Sequence, residues 1–231
     1  MQVIIPMAGL GSRFQNTEFT QPKPLIDVNG TPMIKLAIET LGISGTYNFI
    51  VRNNEYFTET ISIIDSICHR PNILTVNDTT EGAAVSALMF ENLIDHDDEL
   101  IIANCDQVMN WDSNVMLDYL RQFDCGVVTT KSNDQKHSYV NIENDKIVFR
   151  EKEVISDNAL VGIHYWKRAG YFFDSANKMI KNNDRSKNGE FYVAPTYNYL
   201  NLSVGLYEVA DNEFKPIGTP DDLRKYLNDC K

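Results

Sequence analysis

Four short apolar runs recur through residues 3–103 with helical periodicity between them, and this alternation constrains the fold more than any other feature. They are Val3-Ile4-Ile5, Asn48-Phe49-Ile50-Val51, Ile73-Leu74-Thr75-Val76 and Leu100-Ile101-Ile102-Ala103. Each is too short for a stable helix and too continuously apolar for a strand with one wet face, so each reads as a strand buried on both sides. Between the first two, Pro32 opens a helix whose Met33, Ile34, Ala37, Ile38 and Leu41 recur at helical spacing, with Gly42 as its stop. Residues 56–68 and 82–93 also read as helices. Strands alternating with helices predict an α/β fold, a mostly parallel sheet flanked by helices, and ligands in such sheets bind beyond the carboxyl ends of the strands.

The second half has a different rhythm. Residues 125–130, 139–143, 146–151 and 160–166 are strand-like and closely spaced, which predicts a smaller antiparallel or mixed extension of the sheet. Helices are expected at 171–181, 190–200 and 221–228, with a strand at 204–209. A chain of 231 residues with no Pro/Gly/Ser-rich linker suits one domain over 1–231. The net charge of −11 and the lack of a basic face argue against a nucleic-acid partner, while a few Lys and Arg can still make a local pocket for a small anion. Met1-Gln2-Val3-Ile4-Ile5-Pro6 lacks a signal-peptide pattern, and no apolar run reaches membrane-spanning length. Cys68, Cys105, Cys125 and Cys230 have no zinc or redox spacing, so reduced thiols in a cytoplasmic protein without a membrane partner are expected.

Two strand ends carry the chemistry. Ala8-Gly9-Leu10-Gly11-Ser12-Arg13 follows the first strand; its glycines let backbone amides approach a phosphate, and Arg13 adds a planar fork. Alone it reads equally as a tight turn, and it is neither a P-loop nor a dinucleotide fingerprint, since Phe14 stands where a third glycine would be. Ten residues beyond Arg13, Pro22 and Pro24 stiffen the backbone around Lys23, a candidate point charge for phosphate. Asn104-Cys105-Asp106 follows the fourth strand, and Asp106 is a natural Mg²⁺ ligand or, more plainly, a turn cap. Glu151-Lys152 offers an acceptor for hydroxyls beside a cation. His69, His96, His137 and His164 form no metal spacing.

Taken in order, these segments resemble the sugar-1-phosphate nucleotidylyltransferase superfamily. The resemblance rests on residues 5–14, on Pro22-Lys23-Pro24-Leu25-Ile26, on Gly30-Thr31-Pro32-Met33-Ile34, on Asn104-Cys105-Asp106, on Glu151-Lys152, on Gly162-Ile163-His164-Tyr165 and on residues 218–223. It implies a Rossmann-like sheet. It implies Mg²⁺-assisted in-line transfer of a nucleoside monophosphate from a triphosphate to a sugar 1-phosphate or similar small phosphorylated acceptor, with release of pyrophosphate. Ala8, Gly9, Gly11, Ser12 and Arg13 would wrap the triphosphate; Thr80, Gly82 and Ala83 would meet the base; Lys23 would hold phosphate oxygens and Asp106 the metal. Tyr139, Glu151 and Lys152 would line the acceptor side, dividing the domain into a nucleotide half of about 1–130 and an acceptor half of about 131–231. Many relatives carry a second metal ligand where Pro216 stands, and an Ile-Thr-Asp run where Val193-Ala194-Pro195 stands. The run Gly189-Glu190-Phe191-Tyr192-Val193-Ala194-Pro195 is similar to that of short capsule-type members. The resemblance leaves open a homo-oligomer, a cytidylyltransferase for a non-sugar phosphate such as phosphocholine, and a non-catalytic nucleotide-binding module. A glycosyltransferase would usually show Asp-x-Asp at the metal site, where Asn104 takes the first position.

Overall fold

The computed structural model describes residues 1–143 and 146–230. Its strands are β1 (Gln2–Pro6), β2 (Asp27–Val28), β3 (Thr31–Pro32), β4 (Thr46–Arg52), β5 (Asn72–Val76), β6 (Leu100–Ala103), β7 (Gln107–Met109), β8 (Cys125–Lys131), β9 (Ser138–Glu143), β10 (Lys146–Glu151), β11 (Asn158–Trp166), β12 (Val204–Glu208) and β13 (Phe214–Pro216). Its helices are α1 (Met33–Leu41), α2 (Phe57–Ile67), α3 (Ala83–Leu88), α4 (Ser113–Leu120), α5 (Ala169–Lys181) and α6 (Pro220–Asp229).

The expected α/β sheet is present. The main sheet runs β10-β9-β11-β6-β1-β4-β5, with β8 beside β11 and β12 beside β8. β1 is parallel to β4 and β6, and β4 to β5. β11 is antiparallel to β6, and β9 to β10, which is the mixed extension. The continuous apolar runs divide between two cores because alternate strand residues face opposite sides. Val3 and Ile5 pack with Ile34, Ile38 and Leu41 of α1, while Ile4 packs on the other face with Phe90, Phe172 and Phe173.

The topology fixes where a ligand binds. From β1 the chain steps outward to β4 and β5, then crosses back to β6 on the other side of β1. The loops leaving β1 and β6 therefore diverge at a topological switch point, and the crevice between them is the binding place of open α/β sheets.

Several elements depart from the sequence reading. α3 ends at Leu88, and residues 89–94 continue as turns closed by three-residue hydrogen bonds that still bury Phe90 and Ile94. The helix expected over 190–200 is a short 3₁₀ turn, Ala194–Tyr199. Pro195 has no N–H to give the Phe191 carbonyl, as an α-helix requires; that carbonyl instead accepts from Ala84 N at 3.1 Å. α4, capped by Asp112 accepting from Asn114 N at 2.9 Å, and the β7–β13 ladder were not anticipated. Among the described residues no helix is long and apolar enough to cross a membrane.

Candidate active site

The loop after β1 is held by its ends. Gly11 takes a left-handed conformation, φ 61°, and starts a 3₁₀ turn in which Phe14 N donates to Gly11 O at 2.9 Å. Phe14 is 3% exposed and anchors the turn in a small core with Ile26 and Met33. A β-carbon at Gly11 would stand 3.0 Å from the Lys23 Cβ, so this glycine lets the loop lie against Lys23. Ser12 and Arg13 remain exposed beside the cleft.

Lys23 sits in a second 3₁₀ turn between Pro22 and Pro24, and its ammonium forms a close ion pair with the Asp106 carboxylate. Burial alone would lower the Lys23 pKa; the Asp106 carboxylate, helped by Cys105 and opposed by Arg13, outweighs it, and the net shift is upward. Asp106 is held in turn from β13. Its carbonyl accepts from Ile217 N at 3.0 Å, and any side chain at Gly218 would collide with its carboxylate. Pro216 pairs with Gln107 in the β7–β13 ladder, next to this carboxylate.

Two clefts open on either side of the pair. The first is lined by Ala8, Gly9, Gly11, Ser12, Arg13 and Lys23 on one wall and by Thr80, Gly82, Ala83 and Ser86 on the other. Gly82, at φ 130°, meets the backbone of Phe191 so closely that no β-carbon fits; Phe191 N donates to Glu81 O at 2.8 Å. The Thr80 hydroxyl lies 2.6 Å from the Ser86 hydroxyl.

The second cleft holds Asp106, Ser138, Glu151, Lys152, Gln107 and His164 among its lining residues. The Glu151 side chain is 8% exposed and accepts a close hydrogen bond from the Ser138 hydroxyl. Burial raises the Glu151 pKa, against the pull of Ser138, Lys152 and Arg13. Among the described residues Lys152 is one of five non-glycine residues with positive φ, at 53°; its N–H donates to His137 O at 3.1 Å and its ammonium to the Tyr192 hydroxyl at 2.7 Å. A lysine held in that sparsely populated conformation is the kind of local strain that clusters at functional sites. Lys136 forms an ion pair with Asp222 at 2.7 Å on the rim. Arg13, Ala83, Lys152, Tyr192 and Gly218 line both clefts, so the two are confluent.

Every residue expected at the nucleotide lines the first cleft, and Glu151 and Lys152 line the second. Tyr139 does not join them. It is fully buried, its hydroxyl donates to Asp134 O at 2.8 Å, and it lines neither cleft. The reason is strand alternation: Ser138, one residue earlier in β9, faces the cleft and turns Tyr139 into the core. Sequence reading also missed Gln107, His164 and Tyr192 as lining residues; His164 and Tyr192 lay in runs singled out for the resemblance, and Gln107 lay in none.

No family profile matches this chain. In three dimensions, 98% of it overlays 99% of the nucleoside-diphosphate-sugar pyrophosphorylase from Vibrio cholerae RC9, with a TM-score of 0.83 and 21% identity. The chain has the nucleotidylyltransferase fold. The inositol-1-phosphate CTP transferase from T. maritima shares this nucleotidylyltransferase fold, with a TM-score of 0.75 and 12% identity over 98% of this chain and 94% of that one. In sequence, 42 residues are 55% identical to the 2-aminoethylphosphonate cytidylyltransferase of Lancefieldella rimae, a stretch spanning 18% of this chain and 17% of that protein.

Proposed function

We propose that the protein is a nucleotidylyltransferase, moving a nucleoside monophosphate from a triphosphate to a small phosphorylated acceptor, a sugar 1-phosphate or a similar compound, with release of pyrophosphate. The observation that carries this reading is the Lys23–Asp106 pair at the switch point, with Lys23 on the wall of one cleft, Asp106 on the wall of the other, and the clefts confluent between them. Two anionic substrates entering from opposite sides meet there. An acceptor phosphate oxygen attacks the α-phosphorus, a new P–O bond forms as the α–β bridge breaks, and pyrophosphate carries away the electron pair. A phosphate monoester is already anionic near neutral pH, so the reaction needs no strong base. What it needs is alignment and relief of repulsion between anions. Arg13 and Lys23 face the triphosphate, and Lys152, which lines both clefts, faces the incoming phosphate.

The Asp106 carboxylate is an oxygen donor of the kind magnesium takes. Among the described residues no cluster of three or more His, Cys, Asp or Glu is arranged for a metal, so Asp106 would hold the ion with the nucleotide's own oxygens, as magnesium commonly binds. When bound, the ion supplies neutralisation of charge on the triphosphate oxygens. The protein is read as one cytoplasmic domain, with the triphosphate on residues of about 1–130 and the acceptor mainly on residues of about 131–231, and as a short member of the kind that serves capsule or polysaccharide synthesis.

A second reading, cytidylyl transfer to a non-sugar phosphate or phosphonate, draws on the 42-residue match to the 2-aminoethylphosphonate enzyme. A matrix of the four common nucleoside triphosphates against acceptor phosphates, assayed by pyrophosphate release with and without Mg²⁺, tests both. Release from at least one pair, dependent on Mg²⁺, is expected. Triphosphate binding with no release from any pair leaves a regulatory module instead.

A further inference from the structure

Gln107 is the most isolated polar side chain of the second cleft. It is 2% exposed, yet neither its amide nitrogen nor its amide oxygen has a protein partner. Because both atoms are free, the point holds whichever way the amide is turned. Buried amides are almost always hydrogen-bonded, and leaving one unpaired costs about 1–3 kcal/mol. The surroundings keep the amide in this state. β7 holds the Gln107 backbone against Pro216, and Gly162, at φ 82°, has no side chain to press on the amide. The space a β-carbon would take at Gly162 is filled by the Asn104 amide, with the Gln107 amide oxygen 3.3 Å from that position, so the glycine is what lets both amides lie against the strand. The ring of His164, stacked against Trp166 and Tyr197, brings a second buried atom without a partner, Nδ1, to the lining of the same cleft. Burial pushes the His164 pKa down to about 3, so the ring is neutral.

We infer that Gln107 is a specificity-determining residue, selecting acceptors whose body carries a hydroxyl at the floor of the second cleft. The inference rests on the nucleotidylyl transfer proposed above and deepens it. A hydroxyl both donates and accepts, so one such group satisfies the amide oxygen and the amide nitrogen together. A primary ammonium donates only and leaves the nitrogen unpaired. A trimethylammonium does neither. Sites built to hydrogen-bond a substrate group reject analogues that lack it far more strongly than apolar pockets reject an extra methylene.

The test compares wild type, Gln107→Leu and Gln107→Asn with four probes: glucose 1-phosphate, inositol 1-phosphate, phosphocholine and 2-aminoethylphosphonate. Leucine keeps the bulk of the side chain and removes the amide; asparagine keeps the amide and withdraws it by a methylene, and serves if the leucine variant does not fold. Two readouts are taken, the acceptor-dependent rise in melting temperature and steady-state pyrophosphate release. In wild type the hydroxylated probes are expected to raise the melting temperature and to be used in preference to the two amines. In Gln107→Leu the KM for the hydroxylated probe rises at least tenfold with a smaller change in kcat, the KM for the triphosphate stays level, and the preference over the amines narrows. Preference of the wild type for either amine, or a KM for the hydroxylated probe within twofold of wild type in the variants, overturns the inference while leaving nucleotidylyl transfer standing. Thermal stabilisation by a hydroxylated probe that disappears in Gln107→Leu, without pyrophosphate release from any pair, sinks the proposed reaction and keeps the role of Gln107.

Discussion

Asp106 and His164 both lie under the clefts, and each gives a measurement at the scale of one side chain. Asp106 is packed on one side by Gly218 and paired on the other with Lys23. Asp106→Asn keeps that shape and removes the charge, so kcat is expected to fall about a hundredfold or more through lost transition-state stabilisation, while the melting temperature falls because Lys23 loses its partner. Near-normal rates in the folded variant would remove Asp106 from the chemistry. For His164, the folded pKa lies below the ordinary value of 6.5, at about 3, so its contribution to stability is fully present above pH 6.5 and is lost as pH falls through that window. Lowering the pH from 6.5 to about 5 should cost the wild type about 2 kcal/mol more unfolding free energy than it costs His164→Gln. Urea unfolding of both proteins at the two pH values measures this. Equal losses would mean that His164 is not a buried neutral group.

At the scale of elements, the segment carrying Phe191 and Tyr192 behaves as a strap between the clefts. Its backbone is bonded to Glu81 and Ala84, and Arg185 pairs with Glu81 beside it. Gly82→Ala would drive a β-carbon into the Phe191 backbone at a φ that side chains rarely adopt. A loss of roughly 1–3 kcal/mol is expected, with KM raised for both substrates because Tyr192 lines both clefts. Thermal melts and the two KM values decide it; a change in one KM alone would mean the strap serves one cleft. Local pattern made some elements legible and hid others. β1, β4 and β6 could be read because burial on both faces leaves an unbroken apolar run, whereas β5, expected to be buried on both sides, is an edge strand whose Ile73, Leu74 and Val76 are only partly covered. Gly11 and Asp106, in the loops leaving β1 and β6, and Lys23, between its two prolines, were legible as candidates. The hairpin of β2 and β3 carried a readable signal, Asn29-Gly30 with both residues at positive φ, that was passed over. β7 could not be read, since its three residues gain strand character only from pairing with distant β13. Tyr139 was misassigned by a single step of strand phase, which exchanges the faces of neighbouring residues. Gln107 belongs to no motif; only the fold reveals an amide without partners.

At the scale of the whole molecule, one sheet serves two cores, and each holds one of the two tryptophans. Trp111 packs against the face that includes Val3 and Ile5, and Trp166 lies fully buried on the opposite face with Ile4. Because both cores share β1 and β6, the fluorescence of Trp111→Phe and that of Trp166→Phe should each follow the same urea midpoint as the far-UV circular dichroism of the same variant. Separate midpoints would divide the chain into independently unfolding units. The contact between Gly218 and Asp106 also bears on the protein's history on the ribosome. On the ribosome the carboxylate emerges 112 residues ahead of the Gly218 that packs against it. Over that interval the growing chain carries the glycine loop and the lysine beside a carboxylate without its seat, and the wall between the two clefts is completed only once β13 has followed.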